Sequence, residues 1–306
     1  MRSLWIDTDC GVDDSGAILI ALNCSNVNVI GISCVGGNVS LENVERNVMR
    51  TLSVYGKTDI PVYHGCEAGL IANPLHASHI HGTDGLGDID FNSYGVKMEM
   101  KVQKENAVFA LIDILMKRDD VEILTLGPLT NIAHAIHIEP KIIAKIKSIT
   151  IMGGAEDLKG NVTKYAEFNF KADPEAAAMV FKYIPGNKIT LVSWTLTIKY
   201  VMKDDNLNEL FYSRDTVIGR WVNDIWQTAI KYNGNKTYTA DPLASFVACY
   251  GNKAIKTVKR AGIDIILSGE KTAASVPKPD KDRVTIVETI DFDFYLDVFR
   301  ALIKYK

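Results

Sequence analysis

Four aspartates fall within eight residues near the N-terminus, in Asp7-Thr8-Asp9-Cys10-Gly11-Val12-Asp13-Asp14. Carboxylates at that density repel one another, so each must be protonated, solvated or held by a cation. A helix cap at Asp13, or turns at Asp7 and Asp9, would use one aspartate at a time and leave the density unexplained. A hard cation bound through oxygen is the economical arrangement. Cys10 lies in the same loop and could be a nucleophile, but neighbouring carboxylates disfavour its thiolate.

The elements around this stretch give it a place. Leu4-Trp5-Ile6 reads as a buried strand broken at Gly11, and Ala17–Leu22 as the start of a helix. Val27–Val35 is a second strand ending at Gly36-Gly37-Asn38. Ser40 caps a helix through Tyr55 with Val44, Val48 and Leu52 on one face, and Ile60–Tyr63 is a short third strand. After an irregular segment, a helix over Asn106–Arg118 leads to strand Val121–Leu126, which ends at Gly127-Pro128-Leu129-Thr130-Asn131. Strand Ile146–Met152 ends at Gly153-Gly154. Asp173-Pro174-Glu175 opens a helix, with strand Lys188–Val192 after it. Residues 196–236 read as helical, with Phe211, Trp221 and Trp226 as core. Asp241-Pro242 opens another helix. Strands near Ile263–Leu267 and Arg283–Glu288 precede a helix from Asp291. This alternation predicts βαβ units and a mostly parallel sheet flanked by helices, whose strand ends share one edge. The acidic loop, Asn38, Leu126-Gly127 and Gly153-Gly154 therefore converge, and Asp241 can join them. Two irregular segments add polar groups: one holds His76, His79 and His81 and suits a lid, and the other holds Asn161, Glu167 and Asn169.

The chain has 306 residues, 47% of them apolar and 23% charged, with a net charge of -3. That balance excludes an electrostatic nucleic-acid binder and fits a globular α/β protein, read here as one domain over residues 1–306. Five scattered cysteines without a CxxC suit reduced thiols in the cytoplasm. Met1-Arg2-Ser3 runs directly into the first strand, so no signal peptide is expected. No apolar run approaches the roughly 20 residues of a membrane helix.

Taken together, the motifs resemble those of the nucleoside hydrolases, the inosine–uridine-preferring group and its relatives. Asp7 to Asp14 is similar to that family's DxDxxxDD signature. Gly36-Gly37-Asn38, His79-Ile80-His81-Gly82, Gly127-Pro128-Leu129-Thr130-Asn131, Met152-Gly153-Gly154, Ala166-Glu167-Phe168-Asn169 and Asp241-Pro242 follow in order. The resemblance implies a Rossmann-like α/β fold and hydrolysis of the N-glycosidic bond of ribonucleosides to free base and ribose, in nucleoside salvage or catabolism. It also implies a homodimer or homotetramer, with no nucleic-acid or membrane partner. It implies Ca²⁺ held by Asp9, Asp14, the Leu126 carbonyl and Asp241. Asp13, Asn169 and Asp241 would hold the 2′- and 3′-hydroxyls, Asn161 and Glu167 the 5′-hydroxyl, and Asn38 and Met152 would line the ribose. A carboxylate-rich pocket favours the positive charge that grows on the sugar as the base leaves. Asp9 is the expected base for the attacking water.

The chain departs from the family at Ala240. Familiar members carry histidine or tryptophan before the aspartate of the DP pair, and alanine can neither donate a proton nor stack. Help for the leaving group must come from elsewhere. Candidates are His81, His79, Tyr232 and Tyr238, with His81 the most economical, and Tyr232 and Trp226 are candidates to wall the base pocket. Three other readings are weaker. A haloacid dehalogenase-type phosphatase would use Asp7 as nucleophile but lacks a late acidic pair. A non-catalytic riboside binder rests on Ala240 alone. A phosphorylase would need a cationic phosphate pocket, and the matched segments offer only Lys164 and Lys171, at their margins.

Overall fold

The computed structural model describes residues 1–212, 214–279 and 282–305. Its strands are β1 (Arg2–Thr8), β2 (Val27–Cys34), β3 (Val62–Tyr63), β4 (Val121–Thr125), β5 (Ser148–Met152), β6 (Ile189–Val192), β7 (Ile255–Ile265), β8 (Ser275–Lys278) and β9 (Val284–Ile290). They form one sheet in the order β3-β2-β1-β4-β5-β6-β9-β7-β8. Every pairing from β3 across to β9 is parallel, and β7 and β8 pair antiparallel at the far edge. The 3-2-1-4-5-6 run is that of a doubly wound α/β sheet, and the chain reverses direction between β1 and β4, where such sheets open a crevice beyond their strand ends. The acidic loop leaves β1 at that point.

Side chains alternate across the sheet. Leu4 and Ile6 of β1 join a core shared with helices Val12–Asn23, Leu41–Tyr55, Val217–Tyr232, Ala240–Tyr250 and Phe292–Ile303. Trp5 points the other way, into a core with helices Ala107–Lys117, Thr130–Ile138 and Pro174–Tyr183. Both faces are covered, which is why the parallel strands are apolar throughout. The aromatic residues Phe211, Trp221 and Trp226 are fully buried, as expected of core. Trp226 packs on Phe211 with ring centroids 4.9 Å apart and is part of the core.

Several elements differ from the reading of the sequence, and the stretch 196–236 is not one helix but holds parts of Trp194–Lys199, Asp204–Phe211 and Val217–Tyr232. The first helix begins at Val12, not at Ala17, which places Asp13 and Asp14 in its first turn with Gly11 at the cap. The run at Ile60 contributes only two strand residues. Strand β7 begins at Ile255, because pairing with β9 holds the exposed polar stretch Lys256–Arg260, which has no apolar alternation to reveal it. Strand β8 was missed because Pro277 interrupts it, and Pro277 is tolerated because β8 is an edge strand. Among the described residues, no helix is long and apolar enough to cross a membrane.

Candidate active site

The end of β1 and the first turn of the following helix deliver three carboxylates, and Ala240–Tyr250 delivers a fourth. Carboxylate oxygens of Asp13, Asp14 and Asp241 lie within 4.8 Å of one another. The two helices that carry them pack side by side. Asp14 is buried and well bonded: Thr8 Oγ1 donates to it at 2.5 Å, the Gly11 N–H at 2.9 Å and Asn38 Nδ2 at 3.1 Å. Asp9 stands beside this trio. Its Oδ2 accepts the Asn38 N–H at 2.8 Å, and its buried Oδ1 has no partner among the described residues. Two glycines make room for the Asp9 carboxylate. A Cβ on Gly37 would come within 2.1 Å of Oδ2, and one on Gly127 within 2.8 Å of Oδ1.

Burial, and then the charge of Asp14, raises the carboxyl of Asp9 well above the ordinary carboxylate range and pushes Asp13 up to about 8. Asp241 is raised by burial and then by Asp13 and Asp14. Among the described residues the only Lys, Arg or His nitrogen within ion-pair reach of these four carboxylates is His81 Nδ1, 3.8 Å from Asp13. The cluster is thus an acid-rich, cation-poor pocket. Its crowded carboxylates and the orphaned Oδ1 atoms of Asp9 and Asp13 fit a hard divalent cation with oxygen ligands.

The second wall comes from β4, β5 and the short helix Phe168–Ala172. Asn169 Nδ2 donates to the Leu126 carbonyl at 2.6 Å and to the Met152 carbonyl at 3.2 Å, with the Met152 Sδ at 3.3 Å. Leu126, expected to face a cation, therefore faces Asn169 here. Glu167 caps that helix: its carboxylate accepts the N–H groups of Asn169 and Gly154 at 2.8 Å and of Phe170 at 3.2 Å, and burial pushes its pKa up to about 7. Asn161 is exposed on the preceding loop, where its N–H donates to the Ala166 carbonyl at 3.2 Å.

The third wall is the histidine loop. His81 ends the short helix Ser78–His81 and is buried. Its Nδ1 accepts the Val12 N–H at 3.2 Å, so the ring proton sits on Nε2. Burial lowers its pKa to about 4, which keeps the imidazole neutral. His76 holds the Gly37 carbonyl at 2.8 Å. Tyr232 is 57% exposed at the end of Val217–Tyr232 and meets the His79 ring edge-on at 5.1 Å. Tyr238 packs on Trp194, whose backbone N–H donates to the Gly154 carbonyl at 2.8 Å. Ala240 is buried beside Asp241.

Asp7 lies one step behind. Its Oδ1 accepts from Ser33 and from Asn131 Nδ2, the latter at 2.8 Å, and burial raises it to about 7. The phosphatase reading needs Asp7 as its nucleophile, but Asp7 stands behind the cluster with its Oδ1 held by Ser33 and Asn131. Cys10 is also buried, with its thiol raised by burial and by Asp14, and so is no nucleophile. The sequence shows Asn131 only as the end of the Gly127–Asn131 turn, without its bond to Asp7, and reading it passed over Asn47. Asn47 left a usable signal: a polar residue on the stripe of Val44 and Val48, yet fully buried.

The chain matches the family described as inosine-uridine preferring nucleoside hydrolase over residues 4–297. It is 31% identical to the inosine-uridine preferring nucleoside hydrolase of Crithidia fasciculata, covering 95% of this chain and 94% of that one. The enzyme of the same name from Leishmania major is 32% identical, covering 98% and 97%. Among solved structures, a plant nucleoside hydrolase superposes with a TM-score of 0.90 at 26% identity, covering 100% and 99%. A purine-preferring ribonucleoside hydrolase from Gardnerella vaginalis gives 0.89 at 26% identity, covering 99% and 98%.

Proposed function

Because this chain belongs to the inosine-uridine preferring nucleoside hydrolase family and is therefore an enzyme that hydrolyses ribonucleosides, we propose that its reaction is calcium-dependent and takes place in the acidic crevice beyond β1. The observation that carries this is the gathering of Asp13, Asp14 and Asp241 within 4.8 Å at the point where the sheet reverses. Asp9, Asp14, Asp241 and the Leu126 carbonyl, freed from Asn169, would hold the ion. When bound, Ca²⁺ supplies a positive charge that offsets the carboxylates and acidifies water and hydroxyl groups at its surface.

The chain's own residues do the rest. Asp13 and Asn169 hold the ribose diol, and Asn38 and Met152 shape the wall beside it. Glu167 receives the 5′-hydroxyl, with Asn161 approaching as its loop folds inward. The C–N bond breaks as a C–O bond forms from water, and Asp9 takes the water proton; its unpartnered Oδ1 is free to receive it. The surrounding carboxylates favour the cationic sugar over the neutral ground state. The base leaves with the bonding pair, steadied by the Nε2–H of a neutral His81, and takes its proton from solvent. Tyr232 lines the mouth where the base exits.

We place the reaction in nucleoside salvage or catabolism, in the cytoplasm, in a single domain that assembles as a homodimer or homotetramer. Ribose release from inosine, adenosine, guanosine, uridine and cytidine, without added phosphate, tests the activity. Loss of turnover in EGTA and its return with Ca²⁺ is expected. Full activity after verified metal removal would overturn the calcium role.

A further inference from the structure

Two loops must keep register at this site: the acidic loop, and the turn Gly82–Asp88 that follows His81. One side chain stands between them. Asn47, on helix Leu41–Tyr55, is fully buried and donates from a single amide nitrogen to two carbonyls, Cys10 of the acidic loop at 3.0 Å and Asp84 of the histidine loop at 2.7 Å. Both partners are acceptors, so the amide can face them only with its NH₂ group. Gly85 permits the approach: it has φ +88°, and a Cβ there would lie 2.6 Å from Asn47 Nδ2.

Around this contact the hydrogen bonds close a ring. Asp84 Oδ1 accepts the N–H groups of Leu86 at 2.8 Å and Asp88 at 3.0 Å, which shapes the turn. The Gly87 N–H donates to the His81 carbonyl at 2.7 Å. His81 Nδ1 accepts from Val12 at 3.2 Å, two residues beyond Cys10, where the ring began. Arg50, near Asn47 on the same helix, pins Asp84 Oδ2 at 2.9 Å through a pair that is largely shielded from water. Among the described residues, the hydrogen bonds of Asn47 go to the Cys10 and Asp84 carbonyls and not to the carboxylate cluster or the imidazole, so it acts through where it puts them.

We propose that Asn47, backed by the Arg50–Asp84 pair, is a positioning residue that registers His81 against the acidic loop for departure of the base. The inference rests on the reading of His81 above. It separates the two halves of the reaction: the ring fixes the leaving-group side, while Asp9 and Asp14 are held by Asn38, Thr8 and the Gly11 N–H.

The test uses the intact calcium-loaded enzyme and two kinds of substrate. Inosine and uridine need help for the leaving base, and a nitrophenyl riboside does not. Asn47→Ala should lower kcat on the nucleosides by about 10–100-fold, since losing one well-placed hydrogen-bond donor at a group that gains charge costs up to about 10²–10³-fold. On the nitrophenyl riboside kcat should stay within about 3-fold, and calcium affinity by titration should not change. In a His81→Ala background, Asn47→Ala should cause no further loss on inosine, because residues acting through one group are not additive. Arg50→Gln should show the same pattern more weakly, and it carries the test should Asn47→Ala fail to fold. Equal losses on both substrate kinds, or full additivity with His81→Ala, would overturn the inference. A wild type that cleaves neither kind would instead overturn the functional reading on which it stands.

Discussion

Gly37→Ala adds one methyl group, and the structure says where it must go. The new Cβ would lie 2.1 Å from Asp9 Oδ2 and 2.8 Å from Asp9 Cβ. Carbon and oxygen settle at about 3.3 Å or more, so the carboxylate or the turn must retreat by ~1 Å. Asp9 cannot swing freely, because Oδ2 is bonded to the Asn38 N–H on the same turn. A misplacement of about 1 Å at a reacting group costs on the order of 10²-fold in rate. Overpacking a filled interior costs about 1–3 kcal/mol of stability, leaving a protein of this size folded. We therefore expect Gly37→Ala to remain folded by circular dichroism, to bind nucleoside, and to lose about 10²-fold in kcat in a ribose-release assay. Gly56→Ala is the control: Gly56 has φ +80° and nothing within 4 Å of its Cβ position, so the change strains a distant helix end and leaves kcat alone. A folded Gly37→Ala enzyme with wild-type kcat would refute the claim that the reaction depends on where this turn holds Asp9.

Three other expectations follow from the same geometry. Asp9→Asn should cut kcat by about 10²–10⁴-fold without shifting the melting temperature much, and turnover within a few-fold of wild type would remove Asp9 as the base. Asn169→Ala, which removes the donor to Leu126 and Met152, should raise KM for ribosides roughly 3–10-fold; an unchanged KM would detach Asn169 from the ribose. Glu167 has its pKa raised by burial from 4.5 to about 7 in the folded state, so its contribution to stability is full below 4.5 and is lost as pH rises to about 7. Thermal melts should therefore show wild type losing stability relative to Glu167→Gln as pH rises across that window, and a wild type that gains on the variant with pH would contradict the burial argument.

Much of the site was legible because its parts are local in the chain. The acidic loop is one run of residues, Asp173-Pro174 caps a helix as its sequence suggests, and Gly153-Gly154 ends a strand. Other parts were legible only as composition. Glu167 and Asn169 were visible as polar residues in an irregular stretch, but that Glu167 caps a short helix while Asn169 bridges two strand ends depends on contacts with β4 and β5. Trp226 illustrates the limit of residue type: an aromatic group near the base side of the chain was equally suited to pocket or core, and packing against Phe211 decided for core. Strand β7 hid for the opposite reason, since its exposed half is strand only by virtue of its partner β9.

By itself the sequence determined the charge problem and the order of the elements. Apolar runs of strand length alternate with amphipathic helices, and that pattern admits few sheets other than a doubly wound one. Four aspartates at the end of its first strand then require a cation or protons wherever the chain goes. Only the tertiary structure decided which carboxylates meet. Asp241 joins Asp13 and Asp14, more than 220 residues away in the chain, because two helices pack side by side on one face of the sheet. It also decided that His81 is neutral and turned by the Val12 N–H, and that Asn47 ties its loop to the acidic one. Burial and hydrogen-bond partners are properties of what surrounds a side chain, and those surroundings come from residues far apart in the chain.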